Sequence, residues 1–239
     1  MQAAERLPSK EVYVLNRLRA RFSRGESVKY ISHLDTLRTF ERTLRRAELP
    51  IAHSQGFNPR PQMSFGLPLS VGVTSVSEFV DLDMDERISP EEFKDKMNDN
   101  IPEGFRIIEA GYIDSKESLM SSIGAASYEV WLGLKGQASK EDLQNKIRDF
   151  LKKDSIEIEK ESKGKVKIVD IRPDIFELEI SNCNVEKICF LMTLSAGSVS
   201  NLKPELVIKA FNVENRSEFN IEKIHRTALY GKNRVDLVI

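Results

Sequence analysis

The sequence predicts an α+β fold of two tandem ferredoxin-like α/β sandwiches, antiparallel sheets with helices on one face. Three observations carry it. Apolar residues recur with period two in some segments and with helical spacing in others, and the two kinds alternate along the chain. In the first half they give the order strand, helix, strand, strand, helix, strand. After a small, polar stretch, DSKESLMSSIGAAS at 114–127, that order restarts. The chain has 239 residues, 40% of them hydrophobic, enough for two domains of about 100 residues each. The expected organisation is a lead-in over 1–15, an N-terminal domain over 16–113, a linker over 114–126 and a C-terminal domain over 127–239.

The first strand alternates Leu18, Ala20 and Phe22 with Arg17, Arg19 and Arg21, the period of a strand with two unlike faces. Ser32, followed three residues later by Asp35, opens a helix in the manner of a capping box. Its apolar face is read as Leu34, Leu37, Phe40, Leu44 and Ala47, and Pro50 stops it. IAHS is a short extended piece. A strand lies within 67–85, where Phe79, Asp81 and Asp83 alternate with Val80, Leu82 and Met84; Asp81 and Asp83 read as solvated. Ser89 and Pro90 open the second helix, with proline at its first position, and GFRIIEAGYI is the next strand. The second half repeats this order. SYEVWLGLKG is a strand and SKEDLQNKIRDFLKK a helix. SIEIEKES and KVKIVDI form an extra hairpin, 174–180 and 188–194 are strands, KPELVIKAF is a helix, and the segment around IEKIHRTALYG closes the sheet.

Charge is segregated along the chain. Arg17 to Gln62 holds ten basic and four acidic residues in a chain of net charge −1, so this stretch stands at +6 against an acidic remainder. Arg38, Arg42, Arg45 and Arg46 form a stripe on the solvent side of the first helix. The loop QGFNPRPQMSFG follows, stiffened by Pro59 and Pro61, which push Asn58 and Arg60 toward extended backbone. A stiff loop holds side chains for recognition, here Gln55, Phe57, Asn58 and Arg60. Together with Arg17, Arg19 and Arg21, these residues and the stripe are the candidate surface for RNA or for an acidic partner. A plain reading also stands: arginine suits helices and strand edges, and Phe57 and Phe65 plug the core.

Several chemistries are excluded. The chain has no GxxxxGK[ST] phosphate loop, no GxGxxG, no HExxH and no serine elbow. Its only cysteines, Cys183 and Cys189, are spaced for neither zinc nor a redox pair and read as buried thiols. A radical-type cluster needs three closely spaced cysteines, and two cannot assemble one. Neither a metal site nor a cofactor is expected. Of three histidines, His33 and His53 are weak catalytic candidates; each, like His225, reads equally as a structural hydrogen-bonding group. The start MQAAERLPSK has no signal-peptide character and no apolar run approaches a membrane span, so a cytoplasmic location is expected.

The segments RARFSRGESVKYISHLDTLRTF, ERTLRRAELPIAHSQGFNPRPQMSFG and LPLSVGVTSVSEFVDL, together with KIVDIRP, SNLKPELVIKAF and HRTALYG, resemble the bacterial radical-SAM-linked domain family, a domain of unknown function. The similarity covers residues 17–232. It implies a radical SAM partner protein, encoded beside or fused to such chains, which carries the cluster that this chain lacks. The family supplies no catalytic residues to transfer. A weaker resemblance, in element order and the basic glycine-containing loop, is to CRISPR repeat-processing endoribonucleases; the glycine-rich loop usual near their C-terminus is missing around Gly231. The expected function is a non-catalytic accessory module that binds RNA, tRNA or rRNA, and presents it to the radical SAM partner. The alternatives are a protein-docking domain without RNA, and a metal-independent endoribonuclease using His33 or His53.

Overall fold

The computed structural model describes residues 16–115, 117–133, 139–162, 165–183 and 187–239; the lead-in expected over 1–15 lies outside them. Its elements are β1 (Arg17–Arg24), α1 (His33–Arg46), β2 (Met63–Phe65), β3 (Thr74–Asp83), α2 (Pro90–Asn100), β4 (Phe105–Ile113), α3 (Leu119–Ser122), β5 (Ile123–Gly133), α4 (Lys140–Leu151), β6 (Glu157–Ser162), β7 (Lys165–Asp170), β8 (Ile175–Cys183), β9 (Lys187–Ser195), α5 (Pro204–Asn215) and β10 (Asn220–Gly231). Residues 119–122 of the expected linker are helical, and 123–126 open β5.

The fold is α+β with a large, mostly antiparallel sheet and helices packed on it. β1 pairs β3 and β4, and β3 also pairs β2. In the second half β5 pairs β9 and β10, and β9 pairs β8. Two separate sheets were the expectation, and this is corrected: eight strands form one sheet, ordered β4-β1-β3-β10-β5-β9-β8 with β2 beside β3. The join is a short parallel pairing, His225 opposite Thr74 and Arg226 opposite Ser75. β3 offers its outer edge to β10 at its start and to β2 further on, where Ser64 faces Asp81. A notch therefore opens between the halves, and β2 lies in it. β6 and β7 make the expected extra hairpin.

There are two cores, and Leu67, Leu69, Val73 and Phe79 of the first half belong to the second of them. Leu18, Ala20, Phe22, Val80 and Leu82 meet Phe40 and Leu44 of α1 and Phe93 and Met97 of α2. Phe40 stacks edge-on against Phe65 and tilts against Phe22 at 4.8 Å, geometry that aromatic pairs favour. In the second core Val130, Leu132 and Phe190 pack on Leu143, Phe150 and Phe211 of α4 and α5. The buried face of α1 is Thr36, Phe40, Thr43 and Leu44, whereas Leu34, expected inside, is 63% exposed. Thr36 and Thr43 enter the core because each hydroxyl donates to the carbonyl one turn back, Ser32 and Thr39, which satisfies their polarity locally. Ser32 caps α1 by accepting from the Asp35 N–H at 3.2 Å. Asp35 is held below its ordinary carboxylate pKa by the Ser32 hydroxyl first and by Arg38. Cys189 is buried, which pushes its thiol up to about 11, as expected for an inert core thiol.

One turn is set by glycine. Gly104 has φ +98°, its carbonyl accepts from the Gly25 N–H at 2.7 Å, and an added Cβ would stand 2.9 Å from Val28 Cγ1 and closer still to Ser27 Oγ. Gly104→Ala is expected to lower stability by roughly 1–3 kcal/mol, read as a lower urea midpoint at unchanged m-value.

Candidate functional site

The basic residues expected to form one surface are split between the two faces of the sheet. Because side chains alternate along a strand, Leu18, Ala20 and Phe22 face α1 and α2, and Arg17, Arg19 and Arg21 face away from the helices. On that face each meets a carboxylate from a neighbouring strand. Arg17 Nε donates to Asp83 at 2.8 Å. Arg19 donates to both oxygens of Asp81 at 2.7 and 3.0 Å, and also to the Val238 carbonyl. Arg21 pairs with Glu109 at 3.3 Å. Asp81 and Asp83, read from sequence as solvated, are thus partners of arginines, and Asp81 is only 4% exposed. The sequence-local excess of positive charge is cancelled in space, because the matching acids lie on β3 and β4. Arg24 is buried as well and donates to the carbonyls of Val28, Lys29 and Ile31.

The helix stripe keeps its charge. Arg38, Arg42, Arg45 and Arg46 are all exposed. Arg38 pairs with Asp35 at 3.2 Å, and Arg46 donates to the Asn100 carbonyl. Arg42 and Arg45 make no hydrogen bond or ion pair with the other described residues. α1 ends where Glu48 takes a left-handed conformation, φ +50°, and the Leu49 N–H returns to the Leu44 carbonyl at 3.2 Å, a turn that precedes the stop expected at Pro50.

From this turn the chain enters a pinned hairpin. Ile51 bridges Met84, and His53 bridges Pro61. The Ser54 N–H donates to Arg60 O at 2.9 Å, the Gln62 N–H to Ala52 O at 2.7 Å, and the Arg60 N–H to Ser54 Oγ at 3.0 Å. Gly56 turns the tip with φ +128°. Gln55, Phe57, Asn58 and Arg60 are all exposed, and Phe57 reaches 105% exposure. The stiff loop read from the prolines is therefore a bonded hairpin whose tip displays an aromatic ring. Phe65, by contrast, joins the ring cluster with Phe22 and Phe40.

The histidines do not converge. His33 sits at the start of α1, edge-on to Phe65 at 5.8 Å. His53 Nδ1 lies 2.9 Å from the Ile51 carbonyl. His225 Nδ1 lies 2.7 Å from Thr74 Oγ1 at the join, and burial lowers its pKa. The described residues contain no cluster of metal-ligating side chains, and no helix among them is long and apolar enough to cross a membrane.

Two features escaped the sequence reading. One is the buried pair Arg226–Glu78 at the join: Arg226 is 1% exposed and donates through Nε to Glu78 at 2.8 Å and through a terminal nitrogen to the Leu67 carbonyl at 2.9 Å. The partners are 148 residues apart in sequence, so no local pattern joins them. The other is a cleft of about 320 Å3 in the notch, lined by Arg17, Gln62, Met63, Ser64, Asp81, Asp83, Ser118 and Leu119.

Comparison with curated proteins finds no match. In structure, the chain is similar to one in the crystal structure of a Cbf5–Nop10–Gar1 complex, with 12% identity and a TM-score of 0.52 over 93% of this chain and 51% of that one. It is also similar to one in the structure of an H/ACA RNP bound to a substrate RNA containing 2′-deoxyuridine, with 10% identity and a TM-score of 0.50 over 92% of this chain and 49% of that one. These likenesses are of fold, and the chain spans about half the length of the chains it matches. In sequence, a family model matches residues 17–204, and the chain belongs to that bacterial family, described as uncharacterized protein conserved in bacteria, DUF2344.

Proposed function

We propose that this chain is an RNA-binding accessory module, two ferredoxin-like units fused through one sheet, that holds RNA for a radical SAM partner. The observation that carries the RNA reading is the pinned hairpin: a fully exposed Phe57 on a bonded scaffold, flanked by Asn58 and Arg60 and joined by a short turn to Arg42 and Arg45. An exposed aromatic ring is a stacking platform for an unpaired base, and unpaired arginines suit phosphates. Ordering costs little because the hairpin is held before RNA arrives. The fold shared with a chain of an RNP bound to RNA supports the same reading. The radical SAM partner follows from the family resemblance in the SHLD, GFNPRP and DIRP segments. His33 and His53 have no common partner, and nothing in their placement favours the nuclease alternative.

The test is retention of small RNA by the purified protein at low and moderate salt, with chelator present and the RNA inspected for cleavage. Intact, salt-sensitive retention is expected. Phe57→Ala is expected to weaken it by about 1–3 kcal/mol, the scale of one base–aromatic stack, with no change in the thermal midpoint. Retention unchanged by Phe57→Ala would remove the hairpin from the interface. An absence of RNA binding together with complex formation by the partner would support the docking alternative.

A further inference from the structure

The cleft in the notch differs in chemistry from the arginine stripe. Its floor is the face of β1 and β3 turned away from α1 and α2, where Asp81 and Asp83 lie beside Arg17. Ser64 of β2, opposite Asp81, and Gln62, the last residue of the hairpin, form one wall, and α3 forms the other. Arg19 occupies both oxygens of Asp81. Asp83 stays partly open, its side chain 30% exposed, and a carboxylate accepts about four hydrogen bonds, of which Arg17 supplies two. Among the described residues the Ser64 hydroxyl has no partner, and Gln62 uses only its amide nitrogen, toward the His53 carbonyl. A phosphate here would face two carboxylates. A neutral, planar group with N–H donors would find Asp83 and Gln62 Oε1 as acceptors and Ser64 as either. A volume of about 320 Å3 lies at the lower end of small-molecule sites, about 300–1,000 Å3, and has room for one base.

We infer that this cleft takes a single unpaired nucleobase carrying an exocyclic amino group. The inference rests on the RNA-binding reading and extends it: RNA readers splay unpaired bases out and bond their edges, and an acidic side chain selects an amino-bearing edge, as it does for cytosine. Gln62 belongs to the hairpin that displays Phe57, so a base stacked at the tip and a base in the cleft are held by one element. Uracil, whose edge offers carbonyls where cytosine offers an amine, is the disfavoured base.

The probes are the nucleosides cytidine and uridine, which carry no phosphate, titrated into the full chain with amide shifts followed by NMR. Cytidine is expected to shift Gln62, Ser64 and Asp83 saturably, and to bind at least about tenfold tighter than uridine, the worth of one hydrogen bond to a charged acceptor. Ser64→Phe, which fills the cleft from an exposed position, is expected to abolish the shifts, and Gln62→Ala to weaken them; Phe57→Ala leaves them in place. Equal shifts from both nucleosides, shifts located elsewhere, or none at all would overturn the inference. If RNA is retained while neither nucleoside enters, the base pocket alone fails. If cytidine enters while RNA is not retained, the RNA reading fails and the cleft stands as a nucleoside site.

Discussion

Arg226→Met is expected to destabilise the protein by about 3–5 kcal/mol, the cost of leaving a buried charge without its partner. Glu78 would then keep only the field of Arg24, which makes no ion-pair contact with it. Arg24 cannot take over, because its guanidinium is already committed to three backbone carbonyls. The expected reading is a fall in urea midpoint at constant m-value, or a loss of about 2–4 °C in Tm per kcal/mol for a chain of this size. Glu78→Gln in the same chain removes the stranded charge and is expected to return part of the loss. That recovery separates charge burial from lost packing, since a packing defect would leave the double variant no better than the single one. A cost under about 1 kcal/mol for Arg226→Met would mean that the pair does not hold the join.

The join matters because it is short. In the main chain only His225–Arg226 of β10 pair with Thr74–Ser75 of β3, although Leu67, Leu69, Val73 and Phe79 of the first half are also buried in the second core. Arg226 adds bonds to β3 through Glu78 and to the segment preceding β3 through Leu67, and the Ser77 hydroxyl accepts from the Leu229 N–H at 3.3 Å. Buried ion pairs are poor sources of net stability, yet they fix register where the alternative pairing leaves a charge unpaired. A slip of β10 by one residue would turn Arg226 to the opposite face of the sheet and strand Glu78.

How much of this was legible in the sequence depends on whether the cause was local. Ser32, Ser89 and Ser139 each precede a helix and accept from the N–H three residues on, and such caps act within one turn. The alternation in Arg17–Phe22 fixed which side chains share a face. It could not say what lies opposite, so Asp81 looked solvated until β3 came to rest beside β1. Leu34 was read as core because leucine is apolar, while Thr36 and Thr43 were passed over because their hydroxyls look polar; their bonds to carbonyls one turn back made them the better fillers. The joining of two sheets into one, and the notch it leaves, come from pairings 151 residues apart, for which the sequence offers no periodic signal. The rigid loop was legible from Pro59 and Pro61, but the hydrogen bonds that turn it into a hairpin were not.

Replacing Arg42 and Arg45 together by glutamate is expected to cut RNA affinity about 10- to 100-fold at moderate salt, and to flatten the dependence of log K on log salt by about two. Two exposed basic groups are changed, and neither holds the fold: each is exposed on α1 without hydrogen bond or ion pair to the other described residues. Stability should therefore stay within about 0.5 kcal/mol of the parent. The same experiment on Arg17 and Arg19 has the opposite signature. Those side chains are bound to Asp83 and Asp81, so their loss lowers stability and any effect on RNA follows from that. Arg148→Glu on exposed α4 alters net charge in the second half and serves as the control for bulk electrostatics. If it weakens RNA as much per charge as the α1 pair does, attraction is diffuse and the stripe is no site. If the α1 variant leaves RNA untouched but releases the protein partner, the same two arginines dock an acidic surface instead. Only a loss specific to α1, with stability preserved, places phosphates along that helix.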